Sequence, residues 1–147
     1  MSTADCYICR KLRGEIAPPP GGYLWEDKSW AVCHAPADIA GAGTLILESR
    51  QHFLDLEDMP TDERASLGPV LGRLYPAIRR GTGAERVYLL STMGGVAHFH
   101  AWLVPWWADS ALRGPEYLAA ERSCSVAEAI AASQRIRAAL APTDREP

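Results

Sequence analysis

Two histidines set two residues apart in an apolar run constrain this chain more than any other feature. The stretch Gly94-Gly95-Val96-Ala97-His98-Phe99-His100-Ala101-Trp102-Leu103-Val104-Pro105 holds half of the four histidines. Phe99, Trp102, Leu103 and Val104 favour a strand, and the glycines and the proline punctuate its ends. In a strand, residues 96, 98, 100, 102 and 104 point one way and 97, 99, 101 and 103 the other. His98 and His100 are then expected on one face, about 6.6 Å apart at a rise of about 3.3 Å per residue. Two imidazoles on a buried strand are costly unless each has a partner, so the rest of the chain must supply partners.

At 147 residues the chain is long enough for a single domain with a substantial core, and 48% hydrophobic with 22% charged residues is a globular composition. A net charge of -3 leaves no electrostatic footprint for nucleic acid or an anionic membrane. A nucleotide substrate would need a local site. The first residues, Met1 to Asp5, lack the basic and apolar regions of a secretory signal, and no apolar run approaches the roughly 20 residues that span a bilayer. The four cysteines are therefore expected as reduced thiols in a cytoplasmic protein, with metal binding ahead of disulfides.

Taken in order, residues 5–15 predict a short turn or helix ending near Gly14, and Pro18-Pro19-Pro20-Gly21-Gly22 an extended loop. Tyr23–Glu26 and Ser29–His34 read as a hairpin about Asp27-Lys28, and Thr44–Glu48 as a short apolar strand. Thr61-Asp62-Glu63 reads as an N-cap with an acidic first turn. Leu67, Val70, Leu71, Leu74, Tyr75 and Ile78 follow at helical spacing to Gly81, with a kink expected at Pro76. Arg86–Ser91 reads as a strand, and Trp106–Cys124 has no clear period. Ser125-Val126-Ala127-Glu128 is a capping box that opens a helix through about Leu140, with a frayed tail beyond. Strands and helices do not alternate regularly, which favours α+β with an antiparallel sheet over a doubly wound fold.

Cys6-x-x-Cys9 alone fits zinc ligation, a redox pair or two buried apolar thiols. His52, after a strand, and His98 could complete a Cys2His2 tetrahedron. A thioredoxin-type pair would want a preceding strand, for which the five residues before Cys6 leave no room. His100 is the candidate nucleophile or base; the plainer alternative is a hydrogen-bonded core histidine. Gly94-Gly95 let backbone N–H groups approach a phosphate, and an imidazole facing that phosphate can attack phosphorus. The same glycines would also suit an ordinary tight turn. Cys33 reads as core, His34 as a strand-end or loop residue, and Cys124 as a residue before a helix. Trp106-Trp107 are candidates for lining a pocket or a subunit contact.

The run Gly95 to Pro105 resembles the signature of the histidine-triad (HIT) superfamily, His-φ-His-φ-His-φ-φ with φ apolar. Asp5-Cys6-Tyr7-Ile8-Cys9-Arg10-Lys11-Leu12-Arg13-Gly14-Glu15-Ile16 is similar to the family's opening, a CxxC followed by a basic segment and Gly-Glu-Ile. Thr44-Leu45-Ile46-Leu47 with Arg50-Gln51-His52 is similar to its strand exit, and 57–80 stands in the place of its long helix. The resemblance runs from Cys6 to about Trp106. It implies one α+β domain over 1–147 with a mainly antiparallel five-stranded sheet, a long helix and a C-terminal helix at 125–141, usually paired into a homodimer. It also implies zinc on Cys6, Cys9, His52 and His98, with 1–15 as the zinc-binding N-terminal segment. It makes His100 the residue that attacks an α-phosphate to give a nucleotidyl-histidine.

Three departures bear on activity. Trp102 stands where the third histidine would be; an indole N–H can only donate, and its bulk narrows that face. Gly94-Gly95 replace a polar Gln-Ser or Gln-Thr pair. Ala35-Pro36 lie where a ribose-binding acid is expected, with Asp38 as the nearest substitute. Each lost polar contact costs on the order of 3 kcal/mol, about a hundredfold in rate. The substrate-binding candidates are accordingly Gly94, Gly95, Val96, Ala97, Trp102 and Asp38. Three functions follow as expectations: hydrolysis or transfer on a nucleoside phosphoramidate or phosphoanhydride, a nucleotide-binding module with little turnover, or a zinc enzyme repurposed for a non-nucleotide small molecule. Four protein ligands suit a closed zinc site, which places the third reading last.

Overall fold

The structure, a computed structural model, describes residues 3–140. The expected frayed tail after Leu140 lies outside them. Five strands form one sheet: β1 (Tyr23–Glu26), β2 (Trp30–His34), β3 (Leu45–Ser49), β4 (Arg86–Leu90) and β5 (His100–Trp106), in the order β1-β2-β3-β5-β4, with every neighbour antiparallel. The helices are α1 (Tyr7–Leu12), α2 (Thr61–Thr82), α3 (Gly114–Ala119) and α4 (Val126–Leu140). This is the α+β antiparallel architecture expected from the irregular order of elements.

Strand alternation sorts the two central strands into two faces. Leu45 and Leu47 of β3 and Ala101 and Leu103 of β5 join Val70, Leu74 and Ile78 of α2 in the main core. Ile46 and Glu48, paired in register with Trp102 and His100, project from the other face. That second face carries the cavity described below. Helix α4 is held against α2 by close backbone approach: a Cβ on Gly81 would stand 2.9 Å from Ile136 Cα.

The histidine strand starts later than its periodicity suggests. β5 begins at His100, and His98 sits in a bend whose N–H reaches the Val96 carbonyl at 3.0 Å. Phe99 N–H pairs instead with the Phe53 carbonyl at 2.7 Å, and its ring stacks on Phe53 at 5.3 Å. Strand alternation therefore does not place His98 beside His100. At the other end the strand runs past Pro105 to Trp106. Pairing with β3 stops at Leu103, so no partner there requires the N–H that proline lacks.

Helix α2 runs unbroken through Pro69 and Pro76, and Pro76 brings no new element. Burial of Val70, Leu74, Ala77 and Ile78 outweighs two interior prolines, each worth about 3 kcal/mol in isolation. Its N-cap is Pro60, and no side chain caps the helix, so Thr61 is the first helical residue rather than the cap. The capping box of α4 is present: Glu128 N–H donates to Ser125 Oγ at 3.1 Å and Ser125 N–H to Glu128 Oε2 at 2.7 Å. Within 106–124, where no period was visible, lies the short α3, whose Tyr117 hydroxyl donates to the Pro105 carbonyl. Among the described residues no helix is long and apolar enough to cross a membrane.

Candidate functional site

Two neighbouring features make up the site: a buried Cys–His cluster and an open cavity. Cys6 is the N-cap of α1 and Cys9 lies in its first turn, and both are buried. His52 lies three residues beyond the end of β3, and His98 lies in the bend before β5. The ligand atoms of Cys6, Cys9, His52 and His98 all fall within 4.8 Å of one another. His98 Nδ1 is 3.3 Å from Cys6 Sγ, 3.5 Å from Cys9 Sγ and 3.1 Å from His52 Nδ1. His52 Nδ1 is 3.5 Å from Cys9 Sγ.

These spacings suit one cation. With zinc bonds of about 2.0 Å to nitrogen and about 2.3 Å to sulfur, a tetrahedron sets its nitrogens about 3.3 Å apart and nitrogen from sulfur about 3.5 Å. The tautomer agrees. His98 Nε2–H donates to the Ser49 carbonyl at 2.7 Å, which leaves the Nδ1 lone pair directed at the cluster. A backbone carbonyl that fixes the outer nitrogen is the usual support of a metal-ligating histidine. The Ser49 hydroxyl, 3.0 Å from the same Nε2, is itself tied to the Gln51 carbonyl at 2.8 Å.

Electrostatics favour the same occupant. Burial and the adjacent Cys6 push the Cys9 thiol up to about 11, and burial pulls His98 down to about 4. Without a cation the Cys9 thiol stays protonated and His98 stays neutral; a bound divalent metal would supply the charge that ionises that thiol. Cys6, Cys9, His52 and His98 are thus a donor set that fits zinc. Four protein ligands leave no open position, so zinc there would tie α1 to the ends of β3 and β5 rather than carry out chemistry.

A pH prediction follows for metal-free protein. His98 has a folded pKa of about 4 against an ordinary 6.5, and burial lowers His34 as well. The unfolded chain binds these protons first, so stability is complete above pH 6.5 and falls as the pH drops from there through about 4. Urea midpoints that stay constant between pH 7 and pH 4.5 would contradict this.

The cavity, about 580 Å³, opens on the face of the sheet that carries His100, Trp102, Ile46 and Glu48. This volume is in the range that holds a small ligand. Tyr7, Ile8 and Lys11 of α1, the Pro18–Pro20 loop, Ile39 and Val126 complete most of its wall. His100 is half-buried, and its Nδ1–H donates to the His98 carbonyl at 2.7 Å, leaving Nε2 with a lone pair. The Ser91 hydroxyl donates to His100's own carbonyl at 2.6 Å, which helps to fix the backbone there.

Among the other expected contacts, Val96, Trp102 and Asp38 line the cavity, while Gly94, Gly95 and Ala97 are not part of its wall. Gly94 and Gly95 are exposed, and Gly94 N–H reaches Thr92 Oγ1 at 3.3 Å. His34 also borders the cavity, but backbone groups occupy its ring: Nδ1 pairs with the Ala35 carbonyl at 2.6 Å and Nε2 accepts from Gly43 N–H at 2.9 Å. Cys33 is core, as read from sequence, and Cys124 precedes α4. Trp106 and Trp107 lie away from this cavity; Trp106 donates to the Leu112 carbonyl and Trp107 to that of Thr82.

Sequence reasoning missed the ion pair between Lys11 and Glu48, both buried and both in the cavity wall. The signal available was a carboxylate on the Ile46 face of an otherwise apolar strand. Its partner, 37 residues away, is invisible to periodicity.

Neither a protein-family model nor a curated protein matches the chain significantly. Solved structures do. A zinc-bound histidine triad family protein from Mycobacterium smegmatis superposes with a TM-score of 0.73 at 22% identity, over 95% of this chain and 96% of that one. A hypothetical histidine triad nucleotide-binding protein from Sulfolobus tokodaii gives 0.74 at 17% identity, over 92% and 91%. A Hit-like protein involved in cell-cycle regulation from Bartonella henselae gives 0.74 at 14% identity, over 95% and 98%. At these identities it is the shape that is shared, over nearly the whole of each chain, and the chain has the fold of the histidine-triad proteins.

Proposed function

We propose that this protein binds a nucleoside phosphoramidate or phosphoanhydride in the 580 Å³ cavity and uses His100 to transfer its nucleotidyl group to water or another acceptor. The observation that carries the reading is the His100–His98 hydrogen bond of 2.7 Å, which holds a cavity-lining imidazole with Nε2 as its free base. Two of the structural neighbours are described as a histidine triad nucleotide-binding protein, from Candida albicans, and a hypothetical one, from Sulfolobus tokodaii.

In the proposed reaction His100 Nε2 donates its lone pair to the α-phosphorus of a nucleoside phosphoramidate or phosphoanhydride. A P–N bond forms, and the bond to the leaving group breaks with its electron pair. Water then attacks the same phosphorus, displaces the imidazole and releases the nucleoside monophosphate, which restores His100. Val96, Trp102 and Asp38 act as substrate contacts from the cavity wall, with Gly94, Gly95 and Ala97 in the segment leading into it. Cys6, Cys9, His52 and His98 hold structural zinc. We place the protein in the reducing cytoplasm, where free thiols and zinc ligation coexist. We also propose a homodimer, in which the exposed edge of β4, with Leu89 and Leu90 on its surface, pairs with its copy.

The test is to quench the protein during reaction with a nucleoside phosphoramidate and to measure its intact mass. An acid-labile nucleotidyl adduct that maps to His100 supports the reading; its absence during measurable turnover refutes it. Trp102, beside His100 on the same face, favours a second reading, a binding module that holds the nucleotide without turnover. Calorimetric binding with no product formed would select it.

A further inference from the structure

The cavity wall carries a charged pair that the reaction above does not use. Lys11 on α1 and Glu48 on β3 form an ion pair with side chains 7% and 1% exposed. Around it stand Cys33, whose thiol is 3.7 Å from Glu48 Oε1 and 3.6 Å from Lys11 Nζ, and Tyr23, whose hydroxyl donates to Glu48 Oε2 at 3.3 Å. Removing two charges from water is expensive, and an apolar pair of equal size is often at least as stable. In a wall that is mostly apolar, such a buried pair points to ligand recognition.

Its position indicates which part of a ligand it meets. Glu48 stands opposite His100 in the β3–β5 register, but its carboxylate is held by Tyr23 of β1 and Cys33 of β2. Those strands lie on the far side of β3 from β5, and each strand adds about 4.8 Å. The pair's contacts therefore lie on the β2 side of β3 while His100 lies on its β5 side, so a ligand with its phosphate at His100 can turn its other portion toward the pair.

Charge indicates what it recognises there. Glu48 neutralises Lys11, so the pair has little net attraction for a phosphate dianion. What it presents side by side is a donor and an acceptor. Glu48 and Cys33 engage two of the three Lys11 N–H bonds among the described residues, and Glu48 Oε2 receives one hydrogen bond of the two it can accept. The matching edge has a carbonyl oxygen for the ammonium next to an N–H for the carboxylate. Guanine, hypoxanthine and uracil have that edge. Adenine has no ring carbonyl to offer.

We infer that Lys11 and Glu48 make this cavity select nucleotides whose base carries a carbonyl beside a ring N–H over those of adenine; in a 6-oxopurine Lys11 donates to O6 and Glu48 accepts from N1–H. The inference rests on the nucleotide reading above. Inosine 5′-monophosphate and adenosine 5′-monophosphate differ only at this edge, so calorimetric titration of both is the direct test. Inosine monophosphate is expected to bind about tenfold more tightly or better. Methylation of N1, which removes the N–H facing Glu48, is expected to abolish that preference without altering the protein. In the doubly apolar variant Lys11→Met/Glu48→Met, which leaves no unpaired charge, the two nucleotides should bind within about twofold of each other, given a cooperative melt. Equal affinities in the unaltered protein, tighter binding of the adenine nucleotide, or a preference that survives N1 methylation or the double variant would overturn the inference while leaving the nucleotide site intact. Failure of every nucleotide to bind would overturn both.

Discussion

His100→Ala is expected to lower turnover of a nucleoside phosphoramidate by about 10³-fold or more, while the melting temperature stays within about 2 °C. The asymmetry comes from where the side chain sits. His100 is half-buried at a cavity wall, and among the described residues its side chain's hydrogen bond is to the His98 carbonyl, so truncation leaves no large internal void. Its Nε2 has no substitute: His98 and His52 face the Cys6–Cys9 cluster, and both His34 nitrogens are bonded to backbone. Loss of a covalent nucleophile costs on the order of 10³ to 10⁶ in rate. Equal rates for the two proteins would show that the nucleophile is water and that His100 serves only to bind.

Metal removal is expected to have the larger effect on stability. Helix α1 has six residues, too few to persist alone. Its buried Cys6, Ile8 and Cys9 group with the partly buried Leu12 and Val96 in a cluster separate from the main core. Bound zinc would join this segment to His52 and His98. Structural zinc in small domains contributes apparent binding free energies of about 10–16 kcal/mol at neutral pH, of which a domain with its own core needs only part. A loss of about 4 kcal/mol is expected on chelation or in Cys9→Ala, and for a chain of this size that lowers Tm by about 8–16 °C. Metal analysis should find about one zinc per chain in the unaltered protein and none in the variant. A Tm unchanged by chelation of zinc-loaded protein would show that the cluster contributes nothing to the fold.

Local chemistry explains which parts of this architecture are legible in the sequence. The five strands and α4 announce themselves through alternation, turn residues and the Ser125–Glu128 box, because each signal lies within one or two turns of the element it defines. Cys6, Cys9, His52 and His98 could be grouped because few residue types bind zinc, and the structure does bring those four together. Long-range effects escape such a reading. Pairing of Phe99 N–H with the Phe53 carbonyl pulls His98 out of the strand that its spacing suggests. The prolines of α2 are tolerated because of a core assembled from all five strands and α4. The partners of Glu48 come from α1, β1 and β2, so no window along the chain could have found them.

Helix α1 has a consequence for the protein as a whole. Cys6 and Cys9 face the metal cluster, while Tyr7, Ile8 and Lys11 face the cavity, all within six residues. Cation and ligand therefore grip opposite sides of one rigid turn, and each restricts the turn for the other. Two occupants linked this way must reinforce one another by an identical factor in either order of addition. Nucleotide titrations of loaded and stripped protein would measure that factor, and equal affinities would show that the turn keeps its place without the cation. A cation that never touches the reacting atoms would in this way act as a condition for substrate capture, so that the protein's readiness to bind follows the zinc supply around it.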